Sequence, residues 1–194
     1  MTTLVVTGGS RGIGAAVCVA AAATGWDVVV DYARDEAAAQ SVVRRIADAG
    51  GHALAVRADV SRAEQVEGLF AAADSWRGPV TGLVNNAGVS GGQARVDEVG
   101  EAALDEVLRV NVAGPFLCAG AAVRRMSTRH GGSGGSIVNM SSRAAVIGSP
   151  GEFVHYAATK AALDTLTVGL SVEVAAEGIR VNGIAVGLVD TDFH

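Results

Sequence analysis

The sequence predicts an α/β domain: a doubly wound parallel sheet with helices on both faces. Three observations predict it. Short apolar runs alternate with stretches of helical periodicity along the whole chain, which is the pattern of repeated strand–helix–strand units. The first apolar run passes through a glycine-rich turn, residues 7–14, straight into an Ala-rich segment. Aromatics are only 4% of a chain that is 49% apolar, and the abundant Ala, Val and Gly let helices lie close on a sheet.

Taken in order, Leu4, Val5 and Val6 read as the first strand, the glycines as the turn leaving it, and residues 15–23 as the helix it enters. Gly25 stops that helix, and Asp27–Tyr32 is the second strand. Asp35 and Glu36 start a helix running to Ala49, with Val42, Val43 and Ile46 at helical spacing and Gly50-Gly51 as its stop. Residues 52–58 form a third strand ending at Asp59. Ser61 then caps a helix with Glu64 three residues on, a capping-box pattern. Residues 81–85 are a fourth strand, residues 101–129 one long helical region, 130–135 a flexible glycine loop, 136–140 a fifth strand, 155–176 a helix, and Ile179–Val186 a sixth strand. Strands and helices at these intervals require right-handed crossovers between parallel neighbours.

Composition excludes several functions. At 194 residues the chain reads as one domain, 1–194, able to bury roughly 70% of its unfolded surface without staples. A net charge of −5 and no basic cluster argue against a nucleic-acid partner. Met1-Thr2-Thr3 offers no basic leader, and no uninterrupted apolar stretch approaches the ~20 residues a bilayer requires, so the expectation is a cytoplasmic protein with no membrane partner. Cys18 and Cys118 sit in apolar helical contexts and read as small core residues. His52, His130, His155 and His194 are too scattered for a metal site, and none is expected.

In an open parallel sheet, ligands bind beyond the carboxyl ends of the strands where strand order reverses. Five such ends carry small or polar residues: 7–14, Asp59-Val60, Asn85-Asn86-Ala87-Gly88, Ser141-Ser142 and Val186-Gly187. The turn Gly8-Gly9-Ser10-Arg11-Gly12-Ile13-Gly14 aims free helix N–H groups at its contents, and glycine admits a phosphate closely. Its spacing, G-x-x-x-G-x-G, is one residue longer than the common dinucleotide fingerprint. The same residues also spell Gly8-x-Ser10-x-Gly12, the nucleophile elbow of serine hydrolases, or a plain strand-to-helix turn, and the local pattern does not choose.

Tyr156 and Lys160 stand at i and i+4, so a helix projects both from one face. A cation within a few ångströms favours the phenolate, bringing a group of ordinary pKa about 10 toward use at neutral pH. The pair suits proton transfer at a carbonyl or alcohol oxygen, although a solvated helix face can carry such a pair by chance. Ser142 is placed to hold the substrate oxygen. The amide of Asn111 is placed to position a water behind the lysine.

Thr7-Gly8-x-x-x-Gly12-Ile13-Gly14, Asp59-Val60, Asn85-Asn86-Ala87-Gly88, Asn111, Ile137-Val138-Asn139-Met140-Ser141-Ser142, Tyr156-x-x-x-Lys160 and Arg180-Val181-Asn182 together resemble the short-chain dehydrogenase/reductase family, in the family's order across nearly the whole chain. The resemblance implies a Rossmann-type sheet of order 3-2-1-4-5-6 and NAD(P)-dependent interconversion of a small-molecule carbonyl and alcohol. It implies a tetrad Asn111, Ser142, Tyr156 and Lys160. Gly8, Ser10, Arg11, Gly12, Ile13 and Gly14 would hold the cofactor phosphates, Asp59 and Val60 the adenine, and Asn86, Ala87 and Gly88 the ribose. Gly187, Val189 and Thr191 would meet the nicotinamide end, where Tyr156 and Lys160 also reach the cofactor. Homo-oligomers, tetramers or dimers, would form through helices near 102–126 and 156–174.

The choice of dinucleotide turns on the end of the second strand. Tyr32 occupies the family's usual acidic position, with Asp31 one residue early and facing elsewhere by strand alternation. Arg11 and Arg34 can reach a 2′-phosphate, so NADP is expected, with NAD as the alternative. Against the family, Ser142 to Tyr156 is one residue longer, a difference placed in the Ser149-Pro150-Gly151 turn, and Val186-Gly187 replaces Pro-Gly. Relatives continue past the position of His194 into a substrate-covering helical lid and a last strand. The sequence is therefore read as C-terminally incomplete, and a non-catalytic dinucleotide-binding protein, sensor or partner subunit, stays open beside the enzyme. The hydrolase reading is disfavoured because Ser10 follows the first strand and no acid-then-histidine pair lies downstream.

Overall fold

The computed structural model describes residues 2–189. Its six strands are β1 (Thr3–Val6), β2 (Asp27–Tyr32), β3 (His52–Arg57), β4 (Val80–Asn85), β5 (Gly135–Ser142) and β6 (Ile179–Val186), and its helices are α1 (Gly12–Ala23), α2 (Glu36–Asp48), α3 (Ala63–Trp76), α4 (Glu101–Leu108), α5 (Gly114–Met126), α6 (Ala144–Ile147) and α7 (Val154–Glu173). The strands form one sheet of order β3-β2-β1-β4-β5-β6 with every pair parallel. This is the doubly wound order, and the chain reverses direction across the sheet between β1 and β4.

Strand alternation splits the core in two. Leu4, Val6, Val28, Val30 and Val84 point to the side covered by α1 and α2, where Cys18, Val42 and Ile46 meet them. Val5, Val29, Leu83 and Ile137 point the other way, against Leu69 and Phe70 of α3 and Cys118, Ala121 and Ala122 of α5. β1 and β2 are buried at every position, as strands covered on both faces must be. Both cysteines are free and buried, and among the described residues no cluster suited to a metal occurs.

Several element boundaries differ from the sequence expectation, each for a local reason. The helix after β3 begins at Ala63 with Arg62 as its cap and no side-chain capping bond. Ser61 is instead drawn back to Asp59, whose Oδ1 accepts from both its N–H at 3.0 Å and its hydroxyl at 2.7 Å. Asp59, two residues away, takes both donors locally and so displaces the pairing with Glu64. The long region 101–129 is not one helix: residues 109–113 make a π turn between α4 and α5.

The stretch Glu101–Met126 is long and apolar enough by length and composition to cross a bilayer, although charged residues interrupt it. Here it is a core helix, broken at the π turn and packed on the sheet through α5. The glycine loop is likewise tied down, with Gly134 N–H donating to Met126 O at 2.7 Å and Gly135 N–H to Gly178 O at 3.0 Å. A short helix, α6, follows β5, and the turn after it puts Gly148, Ser149 and Gly151 at φ of +76°, +44° and +79°. The Ser149-Pro150-Gly151 segment, where the extra residue is expected, is therefore a left-handed turn.

Candidate active site

The C-terminal ends of the strands open into a single cleft of about 1010 Å³. Its floor at one end is the glycine turn. Gly8 and Gly12 stand at φ of +60° and +53°, where an L side chain is strained. α1 starts there with no side-chain cap and no acidic residue in its first turn, whereas α2 is capped by Asp35, whose Oδ1 accepts from Ala38 N–H at 2.9 Å. The leading amides of α1 are thus left to face the cleft, a donor set that fits a dinucleotide pyrophosphate.

The turn is pinned from β4. Thr7 Oγ1 accepts the N–H groups of Asn86 and Ala87, both at 3.0 Å, and Asn86 Nδ2 donates to the carbonyls of Thr7 at 2.9 Å and Gly8 at 3.0 Å. A Cβ on Gly14 would collide with Gly8 O and Asn86 Nδ2. Gly14 therefore serves close packing of helix on turn rather than ligand access. Asn85 extends the network by donating to Asn139 Oδ1 at 2.9 Å.

Gly8, Ser10, Arg11, Gly12, Ile13, Gly14, Tyr32, Arg34, Asp59, Val60, Asn86, Ala87 and Gly88 all line this cleft, together with Ser142, Tyr156, Lys160, Gly187 and Val189. Thr191 lies outside the described residues. Two of the lining residues are chiefly core: Val60 is 5% and Tyr32 6% exposed, each within an apolar cluster. Arg34 and Arg11 stand exposed at the mouth, with Arg34 within 3.9 Å of Glu106.

At the opposite end, one turn of α7 carries Tyr156 and Lys160, with Lys160 Nζ 5.6 Å from the phenol ring centroid. Burial pushes Tyr156 up from its ordinary pKa, and a hydrogen bond with Ser142 opposes this. Burial brings Lys160 down to about 8, with Asp164 opposing, and its Nζ donates to Met140 O at 2.7 Å. From sequence, Lys160 is expected to lower Tyr156. Desolvation outweighs that effect here, because the ammonium is itself destabilised by burial and turned toward a carbonyl.

Asn111 is the site residue that lies behind the cleft rather than in it. Fully buried at the π turn, it donates through Nδ2 to Val89 O at 2.8 Å and Thr159 Oγ1 at 3.1 Å, and accepts Val89 N–H at Oδ1, 2.9 Å. Both amide hydrogens are used inside the protein, which leaves the second lone pair of Oδ1 as the side-chain group able to meet the water expected from sequence. Sequence reasoning missed Thr159, which also donates to Tyr156 O at 2.7 Å, and the wall formed by Ala102, Asp105, Glu106 and Arg109 of the α4 region. Nothing local in a helix reveals which face will meet a cleft.

The family model for short chain dehydrogenases matches residues 2–194. The chain is 49% identical to "Uncharacterized oxidoreductase YgfF" of Escherichia coli (strain K12), over 100% of this chain and 78% of that protein. It is 38% identical to a 3-oxoacyl-[acyl-carrier-protein] reductase of Synechocystis, over 97% and 74% of the two chains. The crystal structure of a dehydrogenase/reductase from Sinorhizobium meliloti superposes with a TM-score of 0.93 at 37% identity, covering 100% of this chain and 74% of that one.

Proposed function

The chain belongs to the short-chain dehydrogenase family, a family of oxidoreductases, and from that premise we propose that it interconverts a small-molecule carbonyl and alcohol using NADP(H) in preference to NAD(H), with Tyr156 as general acid and base. The observation that carries the reading is the cleft itself. One continuous cavity joins an uncapped helix N-terminus to a Ser142-bonded tyrosine with a buried lysine on the next helical turn.

The bound nicotinamide dinucleotide would supply or accept the hydride at the substrate carbon. The chain's own residues do the rest. Amides of the turn that lead into α1 hold the pyrophosphate, the N–H groups of Gly8 and Gly9 being already bonded to Asp31, while Asp59 and Val60 border the adenine and Asn86, Ala87 and Gly88 border the ribose. Arg11 and Arg34, the cations at the mouth beside Tyr32, favour a 2′-phosphate. Gly187 and Val189, with Thr191 beyond them, flank the far end.

In reduction, the phenol of Tyr156 gives its proton to the substrate oxygen while Ser142 holds that oxygen in place. The phenolate left behind is the charged form that Lys160 favours once charged and turned toward it. Oxidation runs the same proton the other way. Asn111 acts at one remove, fixing Val89 and, through Thr159, the start of α7. The surrounding reading is of a cytoplasmic homo-oligomer.

Replacing Tyr156 by Phe tests the proposal with a panel of ketones, aldehydes and ketoacyl thioesters followed at the nicotinamide absorbance. Turnover should fall roughly 10²–10⁴-fold while NADPH still binds. Unchanged turnover would overturn the acid–base role, and a parent protein that binds NADPH yet reduces nothing would favour a non-catalytic binder.

A further inference from the structure

A carboxylate lies in the floor of the phosphate turn. Asp31, in β2, is 1% exposed and borders the cleft, whereas strand alternation predicts that it faces elsewhere. Its Oδ2 accepts Gly8 N–H at 3.1 Å, its backbone carbonyl accepts Gly9 N–H at 2.8 Å, and its Oδ1 is buried without a hydrogen-bond partner. The side chain is therefore fixed directly under the amides that would receive an anion. The titratable groups coupled to it are Asp59 at the end of β3, Cys18 of α1 and Cys118 of α5. None of these supplies a positive charge, and Arg11 and Arg34, cations that line the same cleft, are exposed at its mouth.

A dinucleotide pyrophosphate entering the turn brings negative charge to a site that already holds a buried anion. Like charges that share a desolvated site favour neutralising one of them by protonation. The pyrophosphate does not titrate near neutrality, so the carboxyl must be the group that yields. We propose that Asp31 takes up a proton from solvent as the dinucleotide binds, which makes cofactor binding proton-linked. This inference rests on the dinucleotide reading above. The step is a proton transfer from buffer to carboxylate, with no bond to the cofactor formed and no electron moved.

The state of the carboxyl before binding agrees. Burial raises it to about 7, the Gly8 N–H opposes the rise, and Asp59 adds to it. Near neutrality a substantial fraction is thus ionised and available to be protonated. Unfilled Oδ1 provides an oxygen on which the proton can sit without displacing the bond to Gly8.

The test is calorimetric titration of the whole chain with NADH, which lacks the titrating 2′-phosphate, at about pH 7.5 in phosphate and in Tris, buffers of different ionisation enthalpy. The observed heats should differ, corresponding to uptake of about half a proton or more, and affinity should weaken roughly 3–10-fold between about pH 6 and 8.5. Asp31→Asn should remove both effects and bind NADH more tightly than the parent at the alkaline end. With NADPH, the parent minus Asp31→Asn difference isolates the same proton. Equal heats in the two buffers for the parent would overturn the proposal even if the variant did not fold, and so would a folded Asp31→Asn that kept the uptake. Absence of any heat with either NADH or NADPH would sink the dinucleotide reading instead.

Discussion

Asn111 holds Val89 by both of its backbone groups: the Nδ2 donates to Val89 O at 2.8 Å and the Oδ1 accepts Val89 N–H at 2.9 Å. A side-chain amide paired this way substitutes for a strand neighbour, giving the segment after β4 a ladder partner where the sheet has none. The π turn is what brings the amide into register, since the extra residue in that turn rotates Asn111 inward from the helix. Its second Nδ2 hydrogen goes to Thr159 Oγ1, so one buried residue ties the β4 loop to the helix that bears Tyr156 and Lys160.

Breaking that tie should therefore impair turnover more than cofactor binding. Asn111→Ala leaves the N–H and C=O of Val89 without partners, a loss of about 1–3 kcal/mol for buried groups. Turnover is expected to fall roughly 10–100-fold with NADPH affinity changed no more than about threefold, and the Val89 amide should exchange faster with deuterium. Thr159→Val should lower turnover by a smaller factor and Thr159→Ser should restore it. Protection of Val89 unchanged in Asn111→Ala would show that the loop is held by other contacts.

Most of the fold was legible because it depends on periodicity and punctuation, which are local. Asp27–Tyr32 and Ile179–Val186 were read at their observed bounds, bracketed as they are by Gly25, Gly178 and Gly187. The boundary at Ser61 was misread because Asp59, two residues before it, competes for the same donors, and such competition is settled only in three dimensions. The π turn was invisible: Arg109–Ala113 has helical composition on both sides, and the extra residue shows only in the hydrogen bonds. At the site, residues at strand ends were found because topology alone puts them in the cleft. Thr159 and the α4 wall were not, since a residue's contacts across the fold leave no spacing signature.

The proposed preference for NADP(H) rests on two exposed cations. Arg11 caps α1 with extended backbone, φ −151°, and Arg34 lies at 3.9 Å from Glu106, a separation at which an exposed pair adds little and leaves the guanidinium available to a phosphate. The doubly substituted Arg11→Ala, Arg34→Ala protein should bind NADPH about 10–100-fold more weakly, some 1.4 kcal/mol for each factor of ten, with NADH binding nearly unchanged. Equal weakening for both dinucleotides would assign the two arginines to the shared pyrophosphate instead.

Lys160 makes a stability prediction whose direction is fixed by its burial. At 5% exposed, the ammonium is held to about 8 in the folded chain against 10.5 when unconstrained. Below about pH 8 the lysine is charged in both states, and the folded protein bears the full penalty of a desolvated cation. Between about 8 and 10.5 the unfolded chain binds more protons than the folded one, so stability contributed by this residue rises with pH across that window. Lys160→Met, which removes the charge, should accordingly be more stable than the parent near pH 7, by up to roughly 3 kcal/mol less what Met140 O loses with its 2.7 Å donor. The advantage should shrink as pH passes from 8 toward 10.5. Thermal melts of the two proteins at half-unit steps test this: two Tm curves that stay parallel through that window would mean that Lys160 keeps its ordinary pKa, and that its charge is solvated or paired in solution rather than buried beside Tyr156.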